Sequence, residues 1–587
     1  MLSYAEIMTE PLTNKAVADV FRAIADSMEI LGEDRFRTQA YRRASETLAD
    51  LPQPLALYRE RGELADLPGV GKAIADKIGE LLDTGQLQFY EKLRARIPAG
   101  VLELLRVPNL GPKTIARLHT ELGVTSLDDL QTAAESGKLN GMKGLGPKSI
   151  AQIIDGIPIA RQGGATQRVL LFDALRTAES LLTVLQEAAP GIVRATYAGS
   201  LRRGKPTIGD LDLLAAAADP SAAIAAFTKL PMVAKIESAG DEKATVLLHS
   251  GRQADLIAIS PELWGSALQH FTGGQAHNIH FRELALARGL SFSEHGFRRA
   301  DGSILLCAEE ADVYVALGLP WIPPELREDQ GEFAAAIAGA LPQLVELGDL
   351  RSDLHMHSTW SDGKGEIREM AAVARARGYS HIAVTDHSAY LGITNGLDAQ
   401  RLLQQKQEID ALNAEYAAAG DSFRILRGIE VDITPDGSLA LPDDVLAQLD
   451  IVVASPHVNL QQPSEQATER LLRAIRNPHV DIIGHPTGRL IDRRPGSPID
   501  VDIVARAAAD HGVLLEVNSG PDRLDLEGAA ARRVLELGAT ITINSDAHHP
   551  ENLPWIRLGV LTARRGWATA ERVANTWDLQ RLLDWIK

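Results

Sequence analysis

Cysteine is almost absent: Cys307 is the only one in 587 residues. A single thiol excludes an intramolecular disulfide framework and a thiolate zinc site, and it suits a reducing compartment. The opening residues, MLSYAEIMTEPLTNK, carry acids early and hold no apolar core of signal length. Nowhere does an uninterrupted apolar run reach the length that spans a bilayer. Net positive charge is missing as well. A formal charge of −18 excludes a protein that coats nucleic acid indiscriminately, yet leaves room for local cationic surfaces. Together these absences predict a soluble, cytoplasmic protein with no membrane contact. The length predicts several domains, each burying its own core.

The most telling chemistry lies in Ala198–Leu214, AGSLRRGKPTIGDLDLL. The stretch reads as a strand end, a tight Gly199-Ser200 turn, a cationic step at Arg202, Arg203 and Lys205, and a strand carrying Asp210 and Asp212. Residues two apart on a strand share a face, so the two carboxylates point together. They repel unless a cation lies between them, and all-oxygen ligation favours Mg²⁺ or Mn²⁺. Backbone N–H groups around Gly199 and Ser200, with the Arg203 guanidinium, suit phosphate oxygens. A lone Asp-x-Asp more often marks a solvated strand end. Preceded by Gly-Ser and Arg-Arg-Gly-Lys, it describes a nucleotidyl-transfer site.

These residues resemble the family X DNA polymerases, of which polymerase beta is one. The resemblance implies two metal ions held by Asp210, Asp212 and a third carboxylate on a neighbouring strand, for which the apolar run 253–259 offers Asp255. It implies that Gly199, Ser200 and Arg203 grip the triphosphate, and that Arg168 contacts it too. The segment 269–278, with Phe271, Gly273 and Asn278, matches the family's floor beneath the incoming sugar and base. His270 stands for the tyrosine of polymerase beta, and Gly274 for a serine.

Upstream, Val17, Val20, Phe21, Ile24 and Met28 recur at helical spacing, as do Ala40, Tyr41, Ala44 and Leu48. Three related units then repeat an apolar residue, a Gly-rich turn and a lysine near a helix start. Their key positions are Gly69, Gly71 and Lys72; Gly111 and Lys113; and Gly144, Gly146 and Lys148. One such turn would be ordinary punctuation, but three in succession resemble helix-hairpin-helix elements. The turn approaches a phosphate and the next helix offers free N–H groups, a grip without sequence readout. In polymerase beta relatives this domain binds the 5′-phosphate side of a gap, and some use a lysine Schiff base as a lyase. Lys77 falls at that lysine and is either such a nucleophile or an exposed helical lysine near DNA. Ala73 replaces a second, phosphate-binding lysine.

From Asp353 onward, short apolar runs such as 382–384, 451–453 and 482–483 each end on a metal-type ligand and are followed by a helical pattern. That is how (β/α) barrels deploy active sites. The set resembles the PHP family (polymerase and histidinol phosphatase), metal-dependent phosphoesterases on a distorted (β/α)7 barrel. The resemblance implies nine ligands: His355, His357, Asp362, His387, Glu430, His457, His485, Asp546 and His548. It implies up to three metals, two bridged by Glu430, and mixed imidazole–carboxylate ligation suits Zn²⁺ or Mn²⁺. His381 and His549 fall outside the pattern.

The expected fold is multidomain, α+β and α/β. Residues 1–90 form a helical DNA-binding domain, 91–165 a helix-hairpin-helix subdomain and 166–325 a nucleotidyltransferase palm with its nucleotide-binding subdomain. Residues 326–350 form a linker and 351–587 the PHP barrel. The resemblance implies a monomeric DNA polymerase that fills short gaps in gapped or nicked duplex DNA from deoxynucleoside triphosphates. It further implies a 3′-5′ exonuclease and allows cleavage at abasic sites. One alternative is a DNA-end-processing nuclease whose polymerase module mainly holds DNA.

Overall fold

Apolar residues at helical spacing near the N-terminus become the buried face of two packed helices, Asn14–Ile30 and Arg35–Ala49. Val17, Phe21, Ile24, Met28, Ala44 and Leu48 are all buried there. The structure is a computed structural model. It describes residues 13–586 apart from 50, 52, 108–109, 141, 143–144, 147–148, 151–152, 155, 158–159 and 161–167. Two compact units divide it, Met1–Gln167 and Arg168–Lys587. Among the described residues, no helix is long and apolar enough to cross a membrane.

The first unit is helical. Its helices Lys72–Thr84 and Pro112–Leu122 each begin immediately after a glycine, Gly71 or Gly111, and each stops on a left-handed glycine, Gly85 or Gly123. Ile74, Ala75, Ile78, Ile115 and Leu118 turn inward, which leaves the helix starts at the surface.

The second unit opens with a five-stranded sheet. Its spatial order is Ile192–Tyr197, Leu211–Ala217, Gln253–Ile259, Lys243–Leu248 and Val233–Ala239. Leu211–Ala217 runs parallel to Gln253–Ile259, and the other pairs are antiparallel. Side chains alternate across this sheet. Leu211, Leu213, Ala215 and Leu256 therefore pack with the helices Leu171–Ala188 and Pro220–Phe227, whereas Leu214, Ala216, Ile257 and Ile259 pack with Trp264, Ala267 and Leu268. A small domain follows, with Phe281, Phe292, Phe297, Tyr314 and Phe333 as its core. The stretch 326–350, expected to be a linker, is packed on both sides. Phe333 and Leu344 join that small core and Val345 the next one, because its apolar residues find partners on either neighbour.

Seven parallel strands, in sequence order, then form a barrel from Ser352–Asp353 to Ile541–Asn544. Its first and last strands meet where Ala547 O accepts from His357 N (2.9 Å) and His355 O from Asp546 N (3.0 Å). The period of two sorts the strand residues. Ile382, Val384, Val452 and Leu515 pack outward on the helices, while Leu354, Ala383, Leu426, Val453, Ile482 and Leu514 form a separate inner cluster plugged by Trp577. Continuing inward positions toward the strands' C-terminal ends leads from Leu426 to Glu430 and from Leu514 to Glu516. Apolar filling below places polar ligands above.

Candidate functional site

The helices Lys72–Thr84 and Pro112–Leu122 carry no side-chain cap, so the N–H groups of Lys72 and Lys113 at their starts are left for an external acceptor, Pro112 itself having none. Gly69 takes a φ of +73°, and a Cβ on Gly71, Gly111 or Gly146 would meet nothing within 4 Å. Packing does not demand these three glycines. Open space is what a phosphate backbone would need. Lys72 and Lys113 are exposed beside the turns, whereas Gly144 and Lys148 lie outside the described residues. Half-buried Lys77 donates from Nζ to Ala73 O (3.0 Å) and lies 5.2 Å from the centre of the Phe89 ring.

In the palm, Asp212 and Asp255 face each other as Cα partners on adjacent parallel strands, with Asp210 just ahead of the first. The expected tight turn at Gly199-Ser200 is one helical turn, Gly199–Arg202. Gly199 sits at φ +57°, and a Cβ there would stand 2.0 Å from Asp212 Oδ2. The carboxylate is seated directly against this backbone. Burial, then Asp210, then Asp255 push the Asp212 carboxyl up to about 7, the mark of carboxylates crowded together. An all-oxygen set in that state fits Mg²⁺ or Mn²⁺.

Asp255 has found another cation. Lys243, diagonal to it on the neighbouring strand, places Nζ 2.7 Å from Asp255 Oδ2, and Gln253 donates to Oδ1 (3.1 Å). Sequence reading passed over Lys243 because nothing in a strand pattern tells which carboxylate a lysine will meet.

The cationic step is likewise partnered. Arg202 donates to Glu310 Oε1 (2.6 Å) and Thr272 Oγ1 (2.8 Å), and Glu310 also accepts from buried Arg327 (2.6 Å). Arg203 donates to Glu328 Oε1 (2.7 Å) and Thr272 O (2.8 Å). Arg168 donates to Thr207 Oγ1 (2.8 Å), alongside the Gly209 turn that leads into Asp210. Half-buried Ser200 stays at the surface of the loop. Asn278, expected to bond nucleotide, instead donates to His270 O (2.7 Å) and Gly273 O (3.2 Å), locking the turn beside Phe271. At Gly273 a Cβ would lie 2.2 Å from Asn278 Oδ1, so glycine is required for that lock.

The barrel gathers all nine expected ligands at one end. Glu430 is their hub. Its Oε1 lies 3.0 Å from His485 Nε2 and 3.4 Å from the Nε2 atoms of His355 and His457; its Oε2 lies 2.7 Å from His387 Nδ1 and 3.7 Å from His357 Nε2. Asp546 Oδ1 is 3.0 Å from His357 Nε2, and Asp362 Oδ1 lies 3.7 Å from His387 and 3.5 Å from His548. Among the described residues three donor groups converge within 4.8 Å, and all are here: His357 with Asp362, His387 and His548; His355 with His357 and Glu430; His387 with Glu430 and His457. Buried His355 Nε2 and Glu430 Oε2 have no hydrogen-bond partner, which fits metal donors. Burial disfavours charge on His457, yet Glu430 and Asp432 push it up to about 9.

An outer ring fixes these donors. Glu516 accepts from His355 at Nδ1 (2.8 Å), from His485 N (2.7 Å) and from Asn544 (2.9 Å). Asp432 holds His457 Nδ1 (2.8 Å), so the Nε2 atoms of both rings face Glu430. Asp386 accepts from Ser358 N (2.8 Å), Ser358 Oγ (2.6 Å) and Gln405 (2.6 Å), pinning the loop that carries Asp362. Sequence reading missed Glu516, although it ends the apolar run 513–515 in the same layout as the ligands. His381 lies buried on its strand away from the cluster, bonded to Ser380, and His549 caps the helix Pro550–Trp555. Replacing Glu516 with Gln should weaken metal retention about 10- to 100-fold, since the amide no longer enforces one His355 tautomer. Metal content after dialysis against a graded chelator series reads this, and unchanged retention would remove Glu516 from the site.

Comparison with known families matches four regions. These are a Helix-hairpin-helix domain at 12–87, a SAM-like Helix-hairpin-helix tandem at 101–157, a DNA polymerase beta thumb at 267–328 and a PHP domain at 353–519. The PHP match stops short of Asp546 and His548, which the last barrel strand brings back beside the first. The chain is 40% identical over 98% of its length to the DNA polymerase/3′-5′ exonuclease PolX of Bacillus subtilis, covering 99% of that protein. It is 31% identical over 40% of its length to a probable phosphatase of Thermoanaerobacter sp., covering 94% of that protein. Rat DNA polymerase lambda is 26% identical over 55% of the chain and 58% of its own length.

Proposed function

The chain belongs to the PolX family of DNA polymerase/3′-5′ exonucleases, and from that premise we propose that it fills short gaps in duplex DNA and trims 3′ ends at two separate sites. The supporting observation is a pair of metal-type donor sets in one compact unit, Asp212 opposite Asp255 in the palm and Glu430 among five imidazoles in the barrel.

In the palm, Asp210, Asp212 and Asp255 hold two Mg²⁺ or Mn²⁺ ions. When bound, these supply activation of the primer 3′-hydroxyl and neutralise charge on the triphosphate. The loop from Gly199 offers N–H groups, Ser200 and Arg203 to the phosphates, with Arg168 beside it. Phe271 and the Gly273 turn, locked by Asn278, form the floor beneath the nucleotide. In the barrel, the nine ligands hold up to three Zn²⁺ or Mn²⁺ ions, which when bound supply hydroxide at neutral pH. Glu516 and Asp432 keep the Nδ1 protons of His355 and His457 turned outward. The phosphodiester is drawn by the hairpin glycines and by Lys72, Lys113 and Lys148, and Lys77 is the lyase nucleophile for a 5′-deoxyribose phosphate. The functional modules run 1–90, 91–165, 166–325 and 351–587, and the protein works as a cytoplasmic monomer on gapped or nicked DNA.

One 5′-phosphorylated gapped substrate tests this, assayed with Mg²⁺ and with Mn²⁺. Asp212→Ala is expected to lose extension and keep 3′ trimming, and His355→Ala to do the reverse. Extension that survives Asp212→Ala, or trimming that survives His355→Ala, overturns that half. Borohydride trapping on an abasic end, lost in Lys77→Ala, checks the lyase assignment.

A further inference from the structure

A single barrel helix, Ile556–Arg565, reaches into the polymerase's nucleotide loop. It follows His548 through the short helix Pro550–Trp555. Leu558 is buried in the palm's own core cluster, and Arg557 donates to Tyr197 Oη (3.3 Å). A Cβ on Gly204 would stand 3.3 Å from Leu561 Cβ, so the helix lies directly on the residue after Arg203. At its end Arg565 Nη1 donates to Arg203 O (3.1 Å) and lies 3.5 Å from Glu328 Oε1. That same carboxylate oxygen accepts from Arg203 Nε (2.7 Å) and lies 3.3 Å from Lys205 Nζ.

Glu328 thus faces three cations, and only one of them is needed to balance it. Burial alone would raise its carboxyl, but Lys205, Arg203 and Arg565 hold it far below the usual range. The surplus matters if Arg203 must leave. A buried carboxylate stripped of its sole partner is strongly disfavoured, which would tether Arg203 to Glu328. With Arg565 and Lys205 in place, Glu328 stays paired while Arg203 turns to a polyanion. The hydrogen bond from Arg565 to Arg203 O meanwhile holds the main chain from which that side chain swings.

We infer that Arg565, a residue of the barrel domain, is a positioning residue of the polymerase site, releasing Arg203 from Glu328 to the nucleoside triphosphate. This rests on the reading that Arg203 grips the triphosphate. It makes the barrel a structural part of nucleotide binding, independent of its own hydrolysis.

The test compares Arg565→Ala, Arg565→Lys and Arg203→Ala in the full chain, in single-nucleotide gap filling and in 3′ trimming of single-stranded DNA. Arg565→Ala is expected to raise KM for the nucleotide about tenfold, in the range of ordinary site-to-site coupling, with kcat changed less than about twofold. Trimming stays at the wild-type rate. Arg565→Lys, which keeps a cation near Glu328, should recover most of the lost affinity. Arg203→Ala should raise KM further. If it does not, the Arg203 reading fails on its own account. If Arg203→Ala raises KM and Arg565→Ala does not, the inference is overturned. A parallel fall in kcat, trimming and melting temperature in Arg565→Ala makes the residue a mere strut and overturns it as well.

Discussion

Gly199→Ala is expected to abolish primer extension almost as completely as loss of Asp212. The substitution removes no carboxylate and no ligand. Its Cβ would stand 2.0 Å from Asp212 Oδ2, far inside contact distance, at a φ of +57° that suits glycine. Either the carboxylate is driven from its place opposite Asp255 or the loop from Gly199 to Arg202 is pushed away from it. Both outcomes separate the donor set from the N–H groups of the Gly199 loop. Metal-borne charge stabilisation amounts to several kcal/mol, so the loss should reach about a thousandfold at about 1.4 kcal/mol per factor of ten. Single-nucleotide gap filling measures it, with Asp212→Ala as reference and 3′ trimming as the internal control. Extension within tenfold of wild type would mean that Asp212 relocates harmlessly, and that the seat formed by Gly199 is incidental.

Glu430→Gln should have a comparable effect on the other site. Glu430 sits among five imidazoles, with Oε2 2.7 Å from His387 Nδ1 and Oε1 3.0 Å from His485 Nε2. The amide is isosteric, so the barrel should fold, but the charge that would offset two cations is gone. One of its atoms also becomes an N–H donor aimed at metal-ligand nitrogens. Bound metal and 3′ trimming should both fall by about a thousandfold or more, while gap filling persists. Metal analysis after dialysis separates this from simple unfolding, as does retained extension in the same preparation. A barrel that keeps its full metal content without the Glu430 charge would end its role as the hub. The contrast with Glu516→Gln is informative, because that outer carboxylate orients His355 and should cost only one or two powers of ten.

How much of this was legible without coordinates differs from residue to residue. Most barrel ligands were, since they follow short buried runs and the period of two fixes which side of a strand such a position faces, whereas Asp362 lies on a loop. Asp212 and Asp255 were, because each sits near the start of an apolar strand. The helix-hairpin-helix regions were too, as a device repeated along the chain. Arg203 was only half legible. A guanidinium in a cationic loop reads as free, yet Glu328 stands against it 125 residues later. Asn278 was read as a nucleotide contact, and it spends its amide on the carbonyls of its own turn. Lys243 carried no local mark beyond its residue type, whereas Glu516 ends an apolar run as the ligands do and was passed over.

The amino-acid order by itself determined the local features of this protein: the donor types, the strand-end placement of most of them, and the glycines of the helix-leading turns. Those properties are local, set by backbone geometry over a few residues. Tertiary structure alone decided which charges meet. Closure of the barrel brings His548 back to Asp362, and the helix Ile556–Arg565 carries a barrel arginine to Arg203 in the palm. Pairings of that kind depend on how distant segments pack, and a one-dimensional pattern holds no record of distance in space.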